Sequence, residues 1–136
     1  MLIDIDPDSE SPLYQQLRDQ VVEAIADGSL KPGEALASVR QLAMQFGINS
    51  ATVGKGYELL RQEGFVRTSR RSGSVVARGP ADPPTPGFST GWTGRLRTLL
   101  AEAVAHGMPD TAIRTTSDSL LADFATQRTD PGRSAS

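Results

Sequence analysis

Positive charge is concentrated in one part of this chain. Residues 38–78 hold seven basic and two acidic side chains, whereas residues 1–37 hold eight acidic and two basic ones, so the net charge of −2 conceals a strong asymmetry. Arginine and lysine donate hydrogen bonds to phosphate oxygens and to guanine. A basic segment of this kind is typical of a surface that binds nucleic acid. A solvated basic face without a ligand is the alternative that charge alone leaves open.

The side chains that catalysis or metal binding would require are scarce. The chain has no cysteine and a single histidine, His106, for which a place at the C-terminus of a helix is a sufficient explanation. Asp4, Asp6 and Asp8 alternate like the start of a calcium-binding loop, but the glycine and glutamate that such a loop needs further on are missing. We expect an acidic edge strand there. The sequence therefore predicts no enzyme, no metal site and no cofactor.

The apolar residues bear on where the protein works. No apolar run approaches the roughly 18 residues of a membrane span, and the first residues are acidic, unlike a secretion signal. Together with the lack of cysteine, these features predict a cytoplasmic protein with no membrane partner. The length of 136 residues suits one ordinary domain with a short appendage.

The first predicted helix opens at Ser11, which can act as its N-cap, with Pro12 in its first turn. An apolar residue then recurs every four positions, which indicates one buried stripe, and Gly28 ends the helix. The stripe consists of Leu13, Leu17, Val21 and Ile25.

Two further helices follow, with a short turn between them. The second begins at Ser38, which fits a capping box with Gln41, and ends at Gly47. The third begins at Asn49, another good N-cap, and runs to about Gly64. Two helices joined by about three residues have the spacing of a helix-turn-helix. Their inward-facing residues are predicted to be Leu42, Ala43, Phe46, Val53, Tyr57 and Leu60.

A β-hairpin is predicted after the third helix. Residues 65–68 and 74–77 have the composition of strands, and the polar residues 69–73 between them end in glycine. A hairpin in this place is the wing of a winged helix. We therefore assign residues 1–78 to a winged helix-turn-helix DNA-binding domain and expect a fold that is mainly α with a small β-hairpin wing (α+β).

The rest of the chain divides into three segments. Residues 79–94 are rich in proline and glycine and are predicted to be a partly stiffened linker, in which Phe88 and Trp92 are exceptions that dock elsewhere. Residues 95–127 are predicted to form two helices, and residues 128–136 a disordered tail.

The two C-terminal helices need something to cover their apolar residues, because helices of this length are not stable alone. They either fold back on the winged helix or pack against a second copy of the chain, and the flexible linker favours the second copy. A two-fold interface would bury them symmetrically in a homodimer. The predicted dimerisation residues are Leu96, Leu99, Leu100, Val104, Ile113, Leu120, Leu121 and Phe124.

The order and spacing of several motifs resemble the GntR family of bacterial regulators. The motifs are SPLYQQL at 11–17, GSLKPG at 28–33, LASVRQLA at 36–43, GINSATV at 47–53, YELL at 57–60 and EGFV at 63–66. The resemblance covers about residues 9–78. The short C-terminal helical segment is similar to that of the YtrA subfamily, whose members carry only a small dimerisation region there.

The resemblance implies a sequence-specific transcription regulator, with repression the expected mode. It would bind a two-fold symmetric operator in double-stranded DNA as a homodimer. A winged-helix module that binds proteins and never touches DNA is the alternative, although the basic segment argues against it. The sequence does not identify the operator, the regulated genes or any small-molecule effector.

The third helix is expected to lie in the major groove with its N-terminal turn toward the base edges. Arg40 can bind guanine or phosphate, and the wing tip suits the minor groove or its phosphates. The predicted DNA-binding residues are Ser38, Arg40, Asn49, Ser50, Ala51, Thr52, Lys55, Arg70, Arg71, Ser72 and Gly73.

The third helix departs from the family at Gly54, Lys55 and Gly56, where serine, arginine and alanine are usual. Ala37 and Arg71 stand where proline and glycine are usual, so no operator sequence can be carried over from a relative. Each helical glycine costs about 1 kcal/mol relative to alanine. Close approach of the backbone to DNA and neutral drift in a packed helix both remain open as explanations of the two glycines.

Overall fold

The computed structural model describes residues 3–129, which form five α-helices and one antiparallel pair of strands. This architecture confirms the predicted fold class, mainly α with a small β-hairpin wing. In chain order the elements are α1 (Leu13–Ala26), α2 (Val39–Phe46), α3 (Ser50–Gln62), β1 (Val66–Ser69), β2 (Gly73–Val76), α4 (Phe88–Ala105) and α5 (Asp110–Thr129).

The helix-turn-helix has the predicted capping. The Ser38 hydroxyl accepts a hydrogen bond from the Gln41 backbone N–H at 3.0 Å, and the Gln41 side chain accepts one from the Ser38 N–H at 3.0 Å, which closes the capping box. Gly47 ends α2 with a φ of +65°, in the left-handed region that favours glycine. Capping interactions close to each end therefore determine where α2 begins and ends.

The N-terminal segment differs from prediction in two respects. The predicted cap at Ser11 is wrong, because Pro12 is the N-cap of α1 and no side chain caps the helix. The predicted edge strand is absent from residues 3–10. The backbone N–H groups of Asp4 and Asp6 donate instead to glutamine side chains of α1, so the segment is fixed to a helix and not to a sheet.

The core lies between α1, α2, α3 and the base of the hairpin. The predicted stripes are buried, except that Leu13 and Phe46 are only half-buried. Tyr57 lies in this core with its hydroxyl donating to the Ala37 carbonyl at 2.6 Å, and burial raises the pKa of Tyr57 to about 12. The largest fully buried side chains are Tyr57, Leu17, Leu60, Val21, Val53 and Val76.

The hairpin is joined to the loop that precedes α2. Its strands pair antiparallel from Val66 opposite Val76 to Ser69 opposite Gly73. On the other side of β2, an isolated bridge joins Ala35 to Val75, and the Val76 N–H donates to the Glu34 carbonyl at 2.9 Å. The stem of the wing is therefore held on both sides of β2.

The helix α4 begins at Phe88, and the predicted start at Arg95 is wrong. Gly87 precedes it with a φ of +80°, and the helix continues through Gly91 and Gly94 in spite of their low helix propensity. An apolar side chain at every fourth position explains why the helix extends so far towards the N-terminus. These residues are Phe88, Trp92, Leu96, Leu100 and Val104.

The last helix is also longer than predicted. It runs to Thr129, so the tail predicted from residue 128 is wrong at residues 128 and 129, and residues 130–136 lie outside the described part of the chain. Neither α4 nor α5 contains a buried residue. We call these two helices, residues 88–129, the arm, and we call residues 3–79 the winged-helix unit.

Candidate nucleic-acid interface

The residues predicted to bind DNA lie on the surface of the winged-helix unit. Of the eleven, ten are exposed, and Thr52 is half-buried. They come from the start of α2, the first turns of α3 and the tip of the wing. Among residues 3–129, none of the four cations in the set forms an ion pair, so their charge is available to an outside anion. These cations are Arg40, Lys55, Arg70 and Arg71.

The start of α2 provides one free and one occupied side chain. The Ser38 hydroxyl already accepts from Gln41 within the capping box. Arg40, the second residue of α2, is exposed and has no hydrogen-bond partner in the described part of the chain. Since a helix N-terminus also favours an anion, Arg40 is the residue of this region best suited to hold a phosphate or a guanine.

The start of α3 is similar. The Asn49 side-chain oxygen accepts from the Ala51 backbone N–H at 2.8 Å, which satisfies one of the free donors of the first turn. The amide NH₂ of Asn49 keeps its donors for another ligand. Ser50 and Ala51 are exposed beside it. The first turn of α3 can therefore donate hydrogen bonds without losing its cap.

Lys55 has an aromatic neighbour that sequence analysis missed. Its ammonium nitrogen lies 4.0 Å from the centroid of the Tyr14 ring, at the start of α1. A cation over an aromatic face is attracted by the electrons of the ring and is limited in its motion. The two residues are far apart in the sequence, and no local pattern links them. Tyr14 is therefore a neighbour that positions Lys55.

The two glycines of α3 have different surroundings. A Cβ on Gly56 would lie 3.1 Å from the Leu17 Cδ2 atom and 3.1 Å from the Tyr14 carbonyl oxygen, so Gly56 permits close packing of α3 on α1. For Gly56, close approach to DNA is therefore the wrong explanation. A Cβ on Gly54 would meet nothing within 4 Å, so this position is open to an outside partner.

The wing tip presents two guanidinium groups. Arg70, Arg71 and Ser72 form the turn between β1 and β2, and all three are exposed. The Ser69 hydroxyl accepts from the backbone N–H groups of Arg71 and Ser72, both at 3.3 Å, which holds the turn. Gly73 follows with a φ of +73°. The backbone of the tip is fixed while its arginine side chains point into solvent.

Other arginines of this unit have structural partners. Arg18 donates to both carboxylate oxygens of Glu63, at 2.9 and 2.6 Å, and joins α1 to the end of α3. This hydrogen-bonded carboxylate raises the pKa of Arg18. Arg61 pairs with Glu58 at 3.1 Å and also donates to the Ser74 hydroxyl at 3.3 Å, which joins α3 to β2. The basic residues thus divide into a set that stabilises the fold and a set that faces solvent.

The described residues contain neither a candidate metal centre nor a candidate membrane span. Between residues 3 and 129, no three or more histidine, cysteine or acidic side chains gather where a metal ion could bind. Within the same range, every helix is too short or too polar to span a lipid bilayer.

Similarity to known proteins decides the family. The description "Bacterial regulatory proteins, gntR family" belongs to the family model that matches residues 13–76. The HTH-type transcriptional repressor YtrA of Bacillus subtilis is 35% identical over 107 residues, which cover 79% of this chain and 82% of YtrA. The chain belongs to the GntR family.

Other relatives agree with membership of the GntR family. The HTH-type transcriptional regulator Rv1152 of Mycobacterium tuberculosis is 34% identical over 96 residues, which cover 70% of this chain and 79% of Rv1152. The structure of YtrA from Sulfolobus acidocaldarius, a GntR-family transcription factor, is 37% identical with a TM-score of 0.61, covering 77% of this chain and 99% of that one.

A solved structure also matches the fold of this chain over most of its length. A transcriptional antiterminator from Listeria monocytogenes, 24% identical, aligns over 91% of this chain and 92% of its own with a TM-score of 0.82. Within the GntR family this chain is YtrA-like, and its relatives are transcription regulators rather than enzymes. The helix-turn-helix is a DNA-binding unit, so the alternative of a protein-binding module is set aside.

Proposed function

We propose that this GntR-family regulator is a repressor that binds a two-fold symmetric operator as a homodimer. Repression is proposed by similarity to the YtrA repressor of Bacillus subtilis. Because its ligand is chromosomal DNA, we expect the protein to work in the cytoplasm. The cations of α2, α3 and the wing would bind phosphates and base edges, and the arm would join two copies.

The single observation that supports the proposed dimer is the exposed apolar surface of the arm. Leu99 is 62% exposed and Leu121 is 66% exposed, and they are accompanied by other large apolar side chains exposed along the same two helices. Side chains of this kind gathered on two helices mark an interaction surface. The large apolar side chains exposed on the arm are Phe88, Trp92, Leu99, Leu100, Val104, Met108, Leu120 and Leu121.

One face of α4 is well suited to a second copy. Leu96, Leu100 and Val104 follow one another at intervals of four residues, with Ala101 and Ala105 beside them, and together they line a shallow apolar groove. Small residues between large ones let two helices approach closely and interlock. The two-fold axis of a dimer would bring the same groove of both copies together.

Folding back on the same chain is the alternative arrangement for the arm. Contact of this kind is present near the end of α5, where Arg128 donates to the Ala26 carbonyl of α1 at 3.1 Å. It leaves the groove on α4 uncovered, as no residue of α4 is buried. A partner is therefore still needed for α4, and a second copy also provides the second reading head that a symmetric operator requires.

The test combines truncation with a matched pair of substitutions. Truncation after Arg78 keeps every buried hydrophobic residue of the described chain, and we expect a folded monomer with much weaker operator binding. In the full chain, Leu100→Glu should dissociate the dimer in sedimentation. Glu102→Gln, about 160° from Leu100 around α4 and outside the groove lining, should not. A truncated protein that stays dimeric, or full-length protein that sediments as a monomer at micromolar concentration, would contradict the assignment.

The reading residues are tested on DNA from the promoter region of the protein's own gene. Arg40→Ala and Lys55→Ala should each weaken operator binding by about 1–3 kcal/mol, because each removes a group suited to bases or phosphates, while leaving the fold intact. Arg114→Ala, an exposed arginine of α5, is the control and should bind as wild type. If Arg40→Ala and Lys55→Ala both bind the operator as wild type does, another surface reads the DNA.

A further inference from the structure

A cleft separates the winged-helix unit from the arm. Its volume is about 660 Å³, which lies within the range of sites for small organic molecules. Four parts of the chain enclose it: α1, the turn after α3, the segment from the end of β2 to the start of α4, and the last turns of α5. The cleft touches none of the residues predicted to bind DNA, so it is not part of the nucleic-acid interface.

The walls of the cleft are mostly apolar. Val22 and Ile25 of α1 line one side, and Leu121 and Phe124 of α5 line the other. Phe88, at the start of α4, completes the apolar lining. An organic molecule with a hydrocarbon or aromatic body would gain free energy by displacing water from these walls.

Two guanidinium groups border this apolar surface. Arg78 donates to the Thr85 hydroxyl at 2.7 Å and to the Pro83 carbonyl at 2.6 Å, and Arg128 donates to the Ala26 carbonyl at 3.1 Å. All these acceptors are neutral. Among residues 3–129 neither arginine forms an ion pair, and each retains unused N–H donors out of five.

The cleft also contains two acidic side chains, of which only Glu63 is paired with a cation. Glu63 accepts from Nε and Nη2 of the Arg18 guanidinium, and Asp82 accepts from the Gly79 N–H at 2.8 Å. Since Glu63 is paired with Arg18, the lining keeps two guanidinium groups without an ion pair against one such carboxylate, Asp82, so its remaining net charge is positive. Its chemistry is complementary to a carboxylate or sulfonate attached to an apolar body.

We propose that this cleft binds a small organic anion with an apolar body, and that its occupancy regulates operator binding. The regulatory part rests on the proposed function, while the binding part does not. A ligand that contacts α1 on one side and α5 on the other favours one orientation of the winged-helix unit relative to the arm. If that orientation differs in affinity for DNA, the ligand and the operator must influence each other's binding by the same factor.

Binding is tested on the full-length protein with 8-anilinonaphthalene-1-sulfonate, a fluorescent aromatic anion. We expect saturable binding with one site per chain, and competition by decanoate but not by decanol, which has the same chain without the charge. Arg78→Gln and Arg128→Gln should each weaken binding roughly tenfold to a hundredfold, since each removes charge-assisted hydrogen bonds. Arg114→Gln, elsewhere on α5, is the matched control and should bind as wild type.

A variant that fills the cleft distinguishes binding in the cleft from a general effect of charge on ligand binding. Ala125 lines the cleft, so Ala125→Phe should abolish binding without changing any charged group. Circular dichroism should be unchanged in all variants. Equal binding by the arginine variants and wild type, or equal competition by decanol, would overturn the anion site. Binding that disappears as the protein dimerises would also overturn it, because a second copy would then occupy the cleft.

Regulation is tested by measuring operator affinity with and without saturating decanoate. We expect a change of about fivefold or more in wild type and none in Ala125→Phe. An unchanged affinity in wild type would overturn the regulatory part while leaving the site itself. Absence of operator binding without any ligand would instead contradict the proposed function, and the fluorescence measurement would still decide whether the anion site exists.

Discussion

The winged-helix unit and the arm are built in opposite ways. Every buried hydrophobic residue of the described chain lies between Ile3 and Val76, and neither α4 nor α5 buries any. The first unit covers its own apolar surface, while the arm leaves its apolar surface exposed. A helical repeat of apolar residues therefore does not by itself show that a segment can fold without a partner. What matters is whether the same chain supplies a surface to cover each stripe, and here only the first unit has one.

The largest expected difference is in how core substitutions act. Leu60→Ala should lower the free energy of unfolding by about 2–5 kcal/mol, because Leu60 is fully buried and the change leaves a cavity. Leu100→Ala, in the arm, should lower stability only through the proposed dimer, so its effect should depend on protein concentration. Urea denaturation at several concentrations measures both. A loss for Leu100→Ala that is the same at all concentrations would contradict the contrast.

The second contrast is the pH dependence of stability, which Tyr57 gives to the winged-helix unit. Its pKa is about 12 in the folded protein and about 10 when unfolded, so the native state keeps its proton over a range where the unfolded chain loses it. This contribution is fully present below about pH 10 and is lost between about pH 10 and 12, in total about 2–3 kcal/mol.

Denaturation of wild type and Tyr57→Phe across that range measures the effect as a difference between the two proteins. The loss should be absent from Tyr57→Phe and should be the same in full-length and truncated protein, because Tyr57 belongs to the winged-helix unit. An equal pH dependence in both proteins would show that other groups cause it.

The two glycines of α3 give a matched pair of opposite sign. Gly56→Ala should destabilise the protein by about 1–3 kcal/mol, because the new methyl group meets the Tyr14 backbone and the buried Leu17 side chain at 3.1 Å. Gly54→Ala should stabilise it by up to about 1 kcal/mol, since the space there is open. Thermal unfolding measures both changes. A stabilising Gly56→Ala would mean that α1 and α3 separate easily.

The smallest expected effect concerns the wing. Removing both Arg70 and Arg71 should reduce the slope of log binding constant against log salt by about two for each wing bound to DNA. The proposed full-length dimer should therefore lose twice as much slope as the proposed truncated monomer. Specific and random DNA should be affected alike. A loss confined to one operator sequence would show that the wing reads base sequence or groove width.

Much of the winged-helix unit could be predicted because its signals are local. The capping box of Ser38 and Gln41, the cap at Asn49 and the glycine at position 47 each act within one turn of helix, and all are present. Strand composition around a polar turn likewise predicted the hairpin, with a shift of one residue at each strand. The eleven candidate DNA-binding residues remain predictions, although ten of them are exposed.

The remaining features depend on contacts between distant parts of the chain. Nothing near Gly56 in the sequence indicates Leu17 or the Tyr14 carbonyl, and nothing near Lys55 indicates the Tyr14 ring. The early start of α4 is a different case. The spacing of Phe88 and Trp92 with the later leucines was visible, but the glycines and prolines around them favoured a linker. Propensity was given more weight there than periodicity.

The bridge between Ala35 and Val75 has a consequence for how the unit opens. It closes a loop of about 40 residues that contains both α2 and α3. The ends of that loop are also joined by the Leu36 N–H to the Ser74 carbonyl at 2.8 Å and by the Gly33 N–H to the Val76 carbonyl at 2.8 Å. Closing a loop of this length lowers the entropy of the unfolded segment by about 3 kcal/mol in TΔS, so the bridge stabilises the helices within it against local unfolding. Hydrogen exchange of these amides should then occur together with that of α3, as a single cooperative unit, whereas the amides of the arm exchange independently.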